Sequence, residues 1–180
     1  DAIVMNSAGC GAMCKEYGHL LAEDAQWAPR ARAFAARVRD VHELLAEAGP
    51  KPSKARAEGG QSPRVAYDAP CHLQHAQRVV TPPLAVLAAA LDQPLVPLAD
   101  SDQCCGSAGI FNLVRPEVAE RVLAPKLGAI EASGAQVIAT GNPGCLMQIG
   151  GGLFLSGHRV VTRHPVELLD EAYARGVVPG

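Results

Sequence analysis

The stretch Val-Ile-Ala-Thr-Gly-Asn-Pro-Gly-Cys, residues 137–145, has the pattern of a buried strand that turns into a helix. Three apolar residues come first, a turn of small residues follows, and Cys145 opens the next segment. We therefore predict a strand over residues 137–139 and a helix over residues 145–155. This places the Cys145 thiol at the junction of the two.

A second stretch near the start of the chain, Ala-Ile-Val-Met-Asn-Ser-Ala-Gly-Cys at residues 2–10, has the same pattern. Further on, residues 41–49 match residues 165–172 at the same relative place. We predict the C-terminal remnant of one repeat over residues 1–50 and a complete second repeat over residues 64–180. Residues 51–63 are polar and rich in proline and glycine, which is typical of a linker. Because residue 1 is Asp and not Met, we expect the chain to be part of a longer protein.

Strands and helices alternate through the second repeat. The sequence predicts strands over residues 64–68, 95–98, 137–139 and 160–161, and helices over residues 83–91, 116–133, 145–155 and 165–174. Alternation of this kind is typical of an α/β fold in which βαβ units with right-handed crossovers form an open parallel sheet.

Four of the six cysteines follow predicted strands. They are Cys71, the adjacent pair Cys104 and Cys105, and Cys145. Parallel strands end at a common edge of the sheet, so we expect the four thiols to converge there. Clusters of soft thiolates select iron–sulfur clusters, zinc or copper(I). The sequence therefore predicts a metal centre at this edge.

The other polar residues near these motifs leave alternatives open. Cys10 is expected to be a metal ligand of the truncated first repeat and to form a separate half-site with Cys14, one turn later; the alternative for Cys14 is a structural or incidental role. His72 is interpreted as a ligand, as a hydrogen-bonding neighbour of the metal centre, or as a bystander. Asn142 is interpreted as a turn former.

Composition excludes several classes of protein. The chain has 180 residues, 48% of them hydrophobic and 19% charged, as in an ordinary globular domain. A net charge of −2 offers no electrostatic argument for binding nucleic acid or an anionic membrane. There is no run of about 18 apolar residues and no signal peptide pattern. We expect a cytoplasmic protein with reduced thiols, associated at most peripherally with the inner face of the cell membrane.

Three motifs together resemble the cysteine-rich CCG domain, which occurs in heterodisulfide reductases and in iron–sulfur subunits of several dehydrogenases. They are Pro-Cys-His-Leu at residues 70–73, Cys-Cys-Gly-Ser-Ala-Gly at residues 104–109, and Thr-Gly-Asn-Pro-Gly-Cys at residues 140–145. Residues 6–13 and 15–20 are most similar to the iron–sulfur subunits of glycolate oxidase.

The resemblance implies a function as well as a fold. It implies that Cys71, Cys104, Cys105 and Cys145 hold a four-iron, four-sulfur cluster, and that the chain relays electrons from flavin-containing dehydrogenase subunits toward a quinone-type acceptor. The chain would then be a non-catalytic, electron-transferring part of an oxidoreductase complex. It departs from reductase domains that end in Cys-x-x-Cys, because the last position here is Gln148. The alternatives are a structural zinc-binding module and thiol–disulfide chemistry.

Overall fold

The computed structural model of this protein describes residues 1–52 and 63–176. Most of the predicted linker lies outside these residues, at 53–62, and the division of the chain into two repeats stays a prediction.

The first part of the chain forms a small parallel sheet with helices. Its elements are β1 (Ile3–Met5), α1 (Ala8–Leu20), α2 (Ala28–Ala35), β2 (Val38–Asp40) and α3 (Val41–Ala48). Strands β1 and β2 are parallel, with Val4 opposite Arg39. Helix α3 begins with a capping box, in which the Asp40 side chain accepts a hydrogen bond from the N–H of His42.

The second part contains a three-stranded sheet. In chain order its elements are β3 (Val65–Tyr67), a π-helical turn (His72–Ala76), α4 (Thr81–Ala90), α5 (Phe111–Val114), α6 (Pro116–Ser133), β4 (Val137–Ala139), α7 (Pro143–Leu155), β5 (Val161–Arg163) and α8 (Pro165–Gly176). The strand order is β3-β4-β5, and both pairs are parallel. The predicted open parallel α/β fold is confirmed.

Strand β4 lies at the centre of this sheet and is buried on both faces. Successive side chains of a strand point to opposite faces. Accordingly Val137 and Ala139 pack with residues of α4 and α8, while Ile138 packs with residues of α6 and α7. This double coverage explains why the strand is continuously apolar rather than alternating.

The predicted strand over residues 95–98 is wrong in extent. Only Val96 pairs with the sheet, through a single parallel bridge to Ala66 on the outer side of β3. Val96 N–H donates to the Val65 carbonyl over 2.8 Å. Pro94 and Pro97 flank Val96, and because proline has no N–H to donate, the ladder cannot extend.

The two parts of the chain meet at their strand-to-helix turns. Ala8 N–H donates to the Gly141 carbonyl over 3.2 Å, and the His42 ring stacks on the His164 ring with centroids 5.1 Å apart. His42 is fully buried, and its Nδ1 lies 2.5 Å from an Asp40 carboxylate oxygen. The turn that connects β4 to α7 therefore packs directly against its counterpart near the start of the chain.

Adding a methyl group at each of two adjacent glycines of α7 should have opposite effects on the free energy of unfolding. A Cβ at Gly152 would lie 2.7 Å from Leu123 Cδ2, whereas a Cβ at Gly151 would meet nothing within 4 Å. We expect Gly152→Ala to lose about 1–3 kcal/mol of unfolding free energy through overpacking. Gly151→Ala should gain roughly 0.5–1 kcal/mol because alanine favours the helix. Urea denaturation followed by circular dichroism checks both; equal effects at the two positions would contradict the packing of α7 on α6.

Burial makes His164 a source of acid sensitivity. Burial, and then the neighbouring His42, lower the pKa of His164 below its ordinary 6.5, although Asp40 and Glu167 oppose this shift. As pH falls, His164 therefore becomes protonated in the unfolded chain before it does so in the folded protein. The unfolding free energy should consequently fall as pH drops below about 6.5.

His164→Asn tests this effect, since asparagine can still cap α8 but does not titrate. We expect the variant to lose less unfolding free energy than the unmodified protein between about pH 7 and pH 5, measured by urea denaturation at several pH values. Parallel pH profiles would show that His164 does not carry the effect.

Candidate metal centre

The four cysteines with predicted metal-binding roles lie at the carboxyl-terminal edge of the second sheet. Cys71 follows β3 and precedes the π-helical turn, and Cys145 lies in the first turn of α7, just after β4. Cys104 and Cys105 belong to the loop that leads from the Val96 bridge to α5. The parallel strands thus bring together residues that are separated by more than 30 positions in the sequence.

The four sulfur atoms form a contiguous group. Cys71 Sγ lies 4.0 Å from Cys104 Sγ, and Cys105 Sγ lies 3.1 Å from Cys145 Sγ. The two pairs are joined through the backbone, because Cys104 and Cys105 are adjacent residues. Cys105 and Cys145 are buried, while Cys71 and Cys104 are partly accessible. The structure thus brings the four thiols to one edge of the sheet as two contacting pairs, and their role as metal ligands stays a prediction.

Hydrogen bonding favours the thiolate form of Cys104. Hydrogen bonds from Cys105 and Cys71 lower the pKa of Cys104 far below its usual range, and the N–H of Gly106 also donates to its sulfur over 3.4 Å. The same hydrogen bonds, together with burial, raise the pKa of Cys71 and Cys105. Thiolate is the form that binds metals, so Cys104 is prepared to act as a ligand.

Two polar side chains also contact the sulfurs. Asn142 Nδ2 donates to Cys145 Sγ over 3.4 Å, while Asn142 Oδ1 accepts from the N–H of Gly9 over 3.3 Å. His72 Nδ1 lies 3.7 Å from Cys71 Sγ. The interpretation of Asn142 as a mere turn former missed this contact. The available signal was its position three residues before Cys145, at the N-cap of a helix.

Two glycines let the cysteine loop pack closely against its neighbours. Gly106 has φ of +85°, and a Cβ there would lie 2.7 Å from the Ala119 carbonyl oxygen of α6. A Cβ at Gly144 would lie 2.7 Å from Ser107 Oγ. The cysteine loop therefore packs against both α6 and the start of α7, which side chains at these two positions would prevent.

A buried ion pair lies under the cysteine-bearing segments. Lys126 Nζ on α6 is 2.5 Å from Asp68 Oδ1, and the two side chains are 1% and 2% exposed. Lys126 also donates to the Asp100 carbonyl over 3.2 Å, and Thr140 Oγ1 donates to Asp68 Oδ2 over 3.0 Å. Lys126 thus ties the segment before Cys71 to the loop before Cys104.

The remaining residues singled out from the sequence lie away from these contacts. Cys10 is exposed on α1, and Cys14 lies one turn later on the same helix. Gln148, three residues after Cys145, accepts a hydrogen bond from Asn112 Nδ2 over 2.9 Å. The amide of Gln148 therefore joins α7 to α5.

The donor set fits an iron–sulfur cluster or zinc by its chemistry, since all four donors are thiols. The sulfurs are packed in direct contact, and nowhere in residues 1–52 and 63–176 are three or more Cys, His, Asp or Glu side chains spread around a central point as metal ligands. A four-iron cluster would require the sulfurs to move apart. Cys71 and Cys104 belong to loops, which can adjust more easily than β4 or α7.

Comparison with known proteins agrees with the cysteine pattern. The model of the cysteine-rich domain, CCG, matches residues 65–150, which include all four converging cysteines. Lactate utilization protein A of Shouchella clausii is 31% identical over 171 residues, covering 94% of this chain and 70% of that protein. The chain belongs to the CCG cysteine-rich family.

Two further relatives of this CCG chain are longer proteins. The probable glycolate oxidase iron–sulfur subunit of Bacillus subtilis and the glycolate oxidase iron–sulfur subunit of Escherichia coli are each 36% identical to it over 96% of its length. The chain spans 39% and 40% of these two subunits. No helix in the described part of the CCG chain is long and apolar enough to cross a membrane.

The buried ion pair predicts a large cost for removing one partner. Lys126→Met would leave the Asp68 carboxylate buried without its cation, and we expect a loss of about 3–5 kcal/mol in unfolding free energy. The double variant Lys126→Met/Asp68→Asn carries no buried charge and should recover more than half of that loss. Urea denaturation followed by circular dichroism measures both.

Arg115→Met is the matched control. Arg115 pairs with Glu117 over 2.9 Å, but both side chains are about 60% exposed, so its removal should change unfolding free energy by less than about 0.5 kcal/mol. If the single and double variants at Lys126 and Asp68 were equally destabilised, unpaired buried charge would not be the cause.

Proposed function

We propose that this chain is an iron–sulfur electron-transfer part of a complex that oxidises a small 2-hydroxy acid such as glycolate. The observation that carries the proposal is the contiguous group of four thiols contributed by three separate segments. The names of the relatives support it, because two are glycolate oxidase iron–sulfur subunits and a third is a lactate utilization protein.

In this proposal Cys71, Cys104, Cys105 and Cys145 hold a four-iron, four-sulfur cluster, whose chemistry is to take up and release single electrons. The residues around them position the thiolates. Gly106 N–H and Asn142 Nδ2 donate to two of the sulfurs, and hydrogen bonds to sulfur are one of the means by which proteins set a cluster's reduction potential.

The contacts at this site favour a role in electron transfer rather than in oxidation of the hydroxy acid itself. The groups that approach the sulfurs are a backbone N–H, an asparagine amide and a histidine ring, and each of them is already directed at a cysteine sulfur. We infer that the hydroxy acid is oxidised in a flavin-containing partner subunit. This chain then relays electrons from that subunit toward a quinone-type acceptor.

A structural zinc site is the second candidate. Sulfurs around tetrahedral zinc lie about 3.8 Å apart, given Zn–S bonds near 2.3 Å. The 4.0 Å between Cys71 and Cys104 is close to this spacing, whereas the 3.1 Å between Cys105 and Cys145 is shorter. Anaerobic purification with iron, sulfide and zinc analysis distinguishes the two, because an iron–sulfur cluster absorbs visible light and zinc does not.

Cys10 is proposed as a ligand of a separate metal centre. It occupies the same place after β1 as Cys145 does after β4, and it is exposed rather than directed into the four-sulfur group. Its partners would come from other parts of a longer protein. The hydrogen bond from Gly9 to Asn142 would then connect the two centres through their turns.

Serine substitution tests the electron relay. In the intact complex, Cys104→Ser or Cys105→Ser should abolish electron transfer to the acceptor, because serine is a harder ligand that retains iron poorly. Flavin reduction by glycolate in the partner subunit should continue at its normal rate. Stopped-flow absorbance of the flavin, compared with acceptor turnover and iron content, separates the two steps.

Cys14→Ser is the matched control, since Cys14 is a cysteine of α1 outside the four-sulfur group. It should leave iron content and turnover unchanged. Full acceptor turnover in both Cys104→Ser and Cys105→Ser would mean that the domain serves only assembly of the complex.

A further inference from the structure

A cavity of about 310 Å³ lies between the two loops that carry Cys71 and Cys104. Ala69 and Gln74, on either side of Cys71, line it, and so does Ser101, three residues before Cys104. The N–H of Ala69 donates to the Ser101 carbonyl over 2.9 Å, so the two loops are joined at the cavity wall. Ala69 is two residues from Cys71, at most about 7 Å between Cα atoms, so a bound molecule would lie beside the metal centre.

The lining of this cavity suits a neutral, mostly apolar molecule. Its polar side chains carry no charge; they are Tyr67, Gln74 and Ser101. The Tyr67 phenol is a hydrogen-bond donor at neutral pH. The other lining side chains are mainly aliphatic: Val79, Val80, Leu84, Leu95, Val96 and Leu98. A volume near 300 Å³ is at the small end of ligand sites and fits one or two fused rings.

A second cavity, of about 280 Å³, adjoins the first. Leu84 and Leu95 line both, and the second cavity continues along α4 past Leu87 and Leu91. Its lining is predominantly apolar until Asp92 and Gln93. The first cavity can hold a ring that carries hydrogen-bond acceptors. The second cavity continues from it as an apolar groove that can hold an alkyl chain.

We propose that these two cavities bind a quinone with an apolar tail, its ring beside the Cys71 and Cys104 loops and its tail along α4. Quinone carbonyls accept the hydrogen bonds that a phenol, a primary amide and a hydroxyl donate. The inference rests on the proposed function, in which electrons leave this chain toward a quinone-type acceptor. It adds the place at which that acceptor binds.

A larger cavity of about 420 Å³ between α6 and α7 provides the internal comparison. It is also lined by leucines, but the Glu120 carboxylate belongs to its wall. A carboxylate repels the electron-rich carbonyls of a quinone, whereas the cavity between the Cys71 and Cys104 loops has no charged side chain in its lining, and Asp92 lies in the second cavity, on the tail side. We therefore assign the quinone ring to the cavity between these loops.

The test uses 2-heptyl-4-hydroxyquinoline N-oxide, a fluorescent quinone analogue with an alkyl tail, and the intact iron-loaded protein. Titration should show saturable quenching with one site per chain. Leu84→Trp, at the junction of the two cavities, should weaken binding by at least about tenfold because the larger ring fills the space. Leu155→Trp, in the wall of the larger cavity, should leave binding unchanged.

Two further comparisons test the head and tail assignments separately. Gln74→Leu keeps the size of the side chain but removes its amide, and should weaken binding roughly three- to tenfold. The analogue without its heptyl chain should bind the unmodified protein at least roughly tenfold more weakly, because burying each methylene contributes about fourfold. Leu84 is 39% exposed and Leu155 is 86% exposed, so the tryptophan variants should fold; circular dichroism checks this.

The outcomes distinguish this proposal from the proposed function. Iron and sulfide content, with the visible spectrum, report on the metal centre whether or not the analogue binds. A protein that holds its cluster but does not quench the analogue would overturn the quinone site and leave the electron relay intact. Loss of binding in Leu155→Trp, with binding retained in Leu84→Trp, would also overturn it by placing the ligand between α6 and α7.

Discussion

A buried ion pair between Lys126 and Asp68 holds the cysteine-bearing loops at one edge of the sheet. Lys126 reaches from α6 to the residue that follows β3, and it also binds the backbone of the loop that leads to Cys104. Neither charge is solvated, so each is stable only while the other is in place. If the segments before Cys71 and Cys104 separated, the ion pair would either be exposed to solvent or be broken, leaving a buried charge without its partner.

The parallel sheet supplies the rest of the geometry. Because β3 and β4 run in the same direction, the residues that follow them emerge at the same edge. Gly106 and Gly144 then allow the cysteine loop to approach α6 and α7 more closely than any side chain would permit. Three features therefore bring the four sulfurs together: the common direction of the strands, one buried ion pair, and glycine at two positions where a side chain would not fit.

The site also depends on the first part of the chain. Asn142 contacts Cys145 with its amide nitrogen and Gly9 with its amide oxygen, so the turn after β1 helps to orient a side chain of the thiol site. The stacked His42 and His164 rings form a second contact between the first and second parts of the chain. Residues 1–52 therefore support the thiol site although they contribute no sulfur to it.

Local pattern was sufficient to predict the elements whose signals lie within the segment itself. Helix α6 extends from Pro116 to Ser133 as predicted, because a proline at its start and Gly134 in a left-handed conformation at its end are both local signals. The strand predicted over residues 95–98 was too long. The prediction relied on the apolar residues of this segment and did not take into account the two prolines that prevent further pairing. The short helices α2 and α5 and the strand β2 were not predicted, since each is brief and lacks strong periodicity.

The amino-acid sequence alone determined which residues could form the site, namely four cysteines in three separate segments, and the family to which they belong. Tertiary structure alone decided which thiols contact each other and what supports them. The contact between Cys71 and Cys104 spans 33 positions in the sequence, and the Lys126–Asp68 pair spans 58. Such contacts depend on the packing of whole helices against the sheet, which no local pattern of residues encodes.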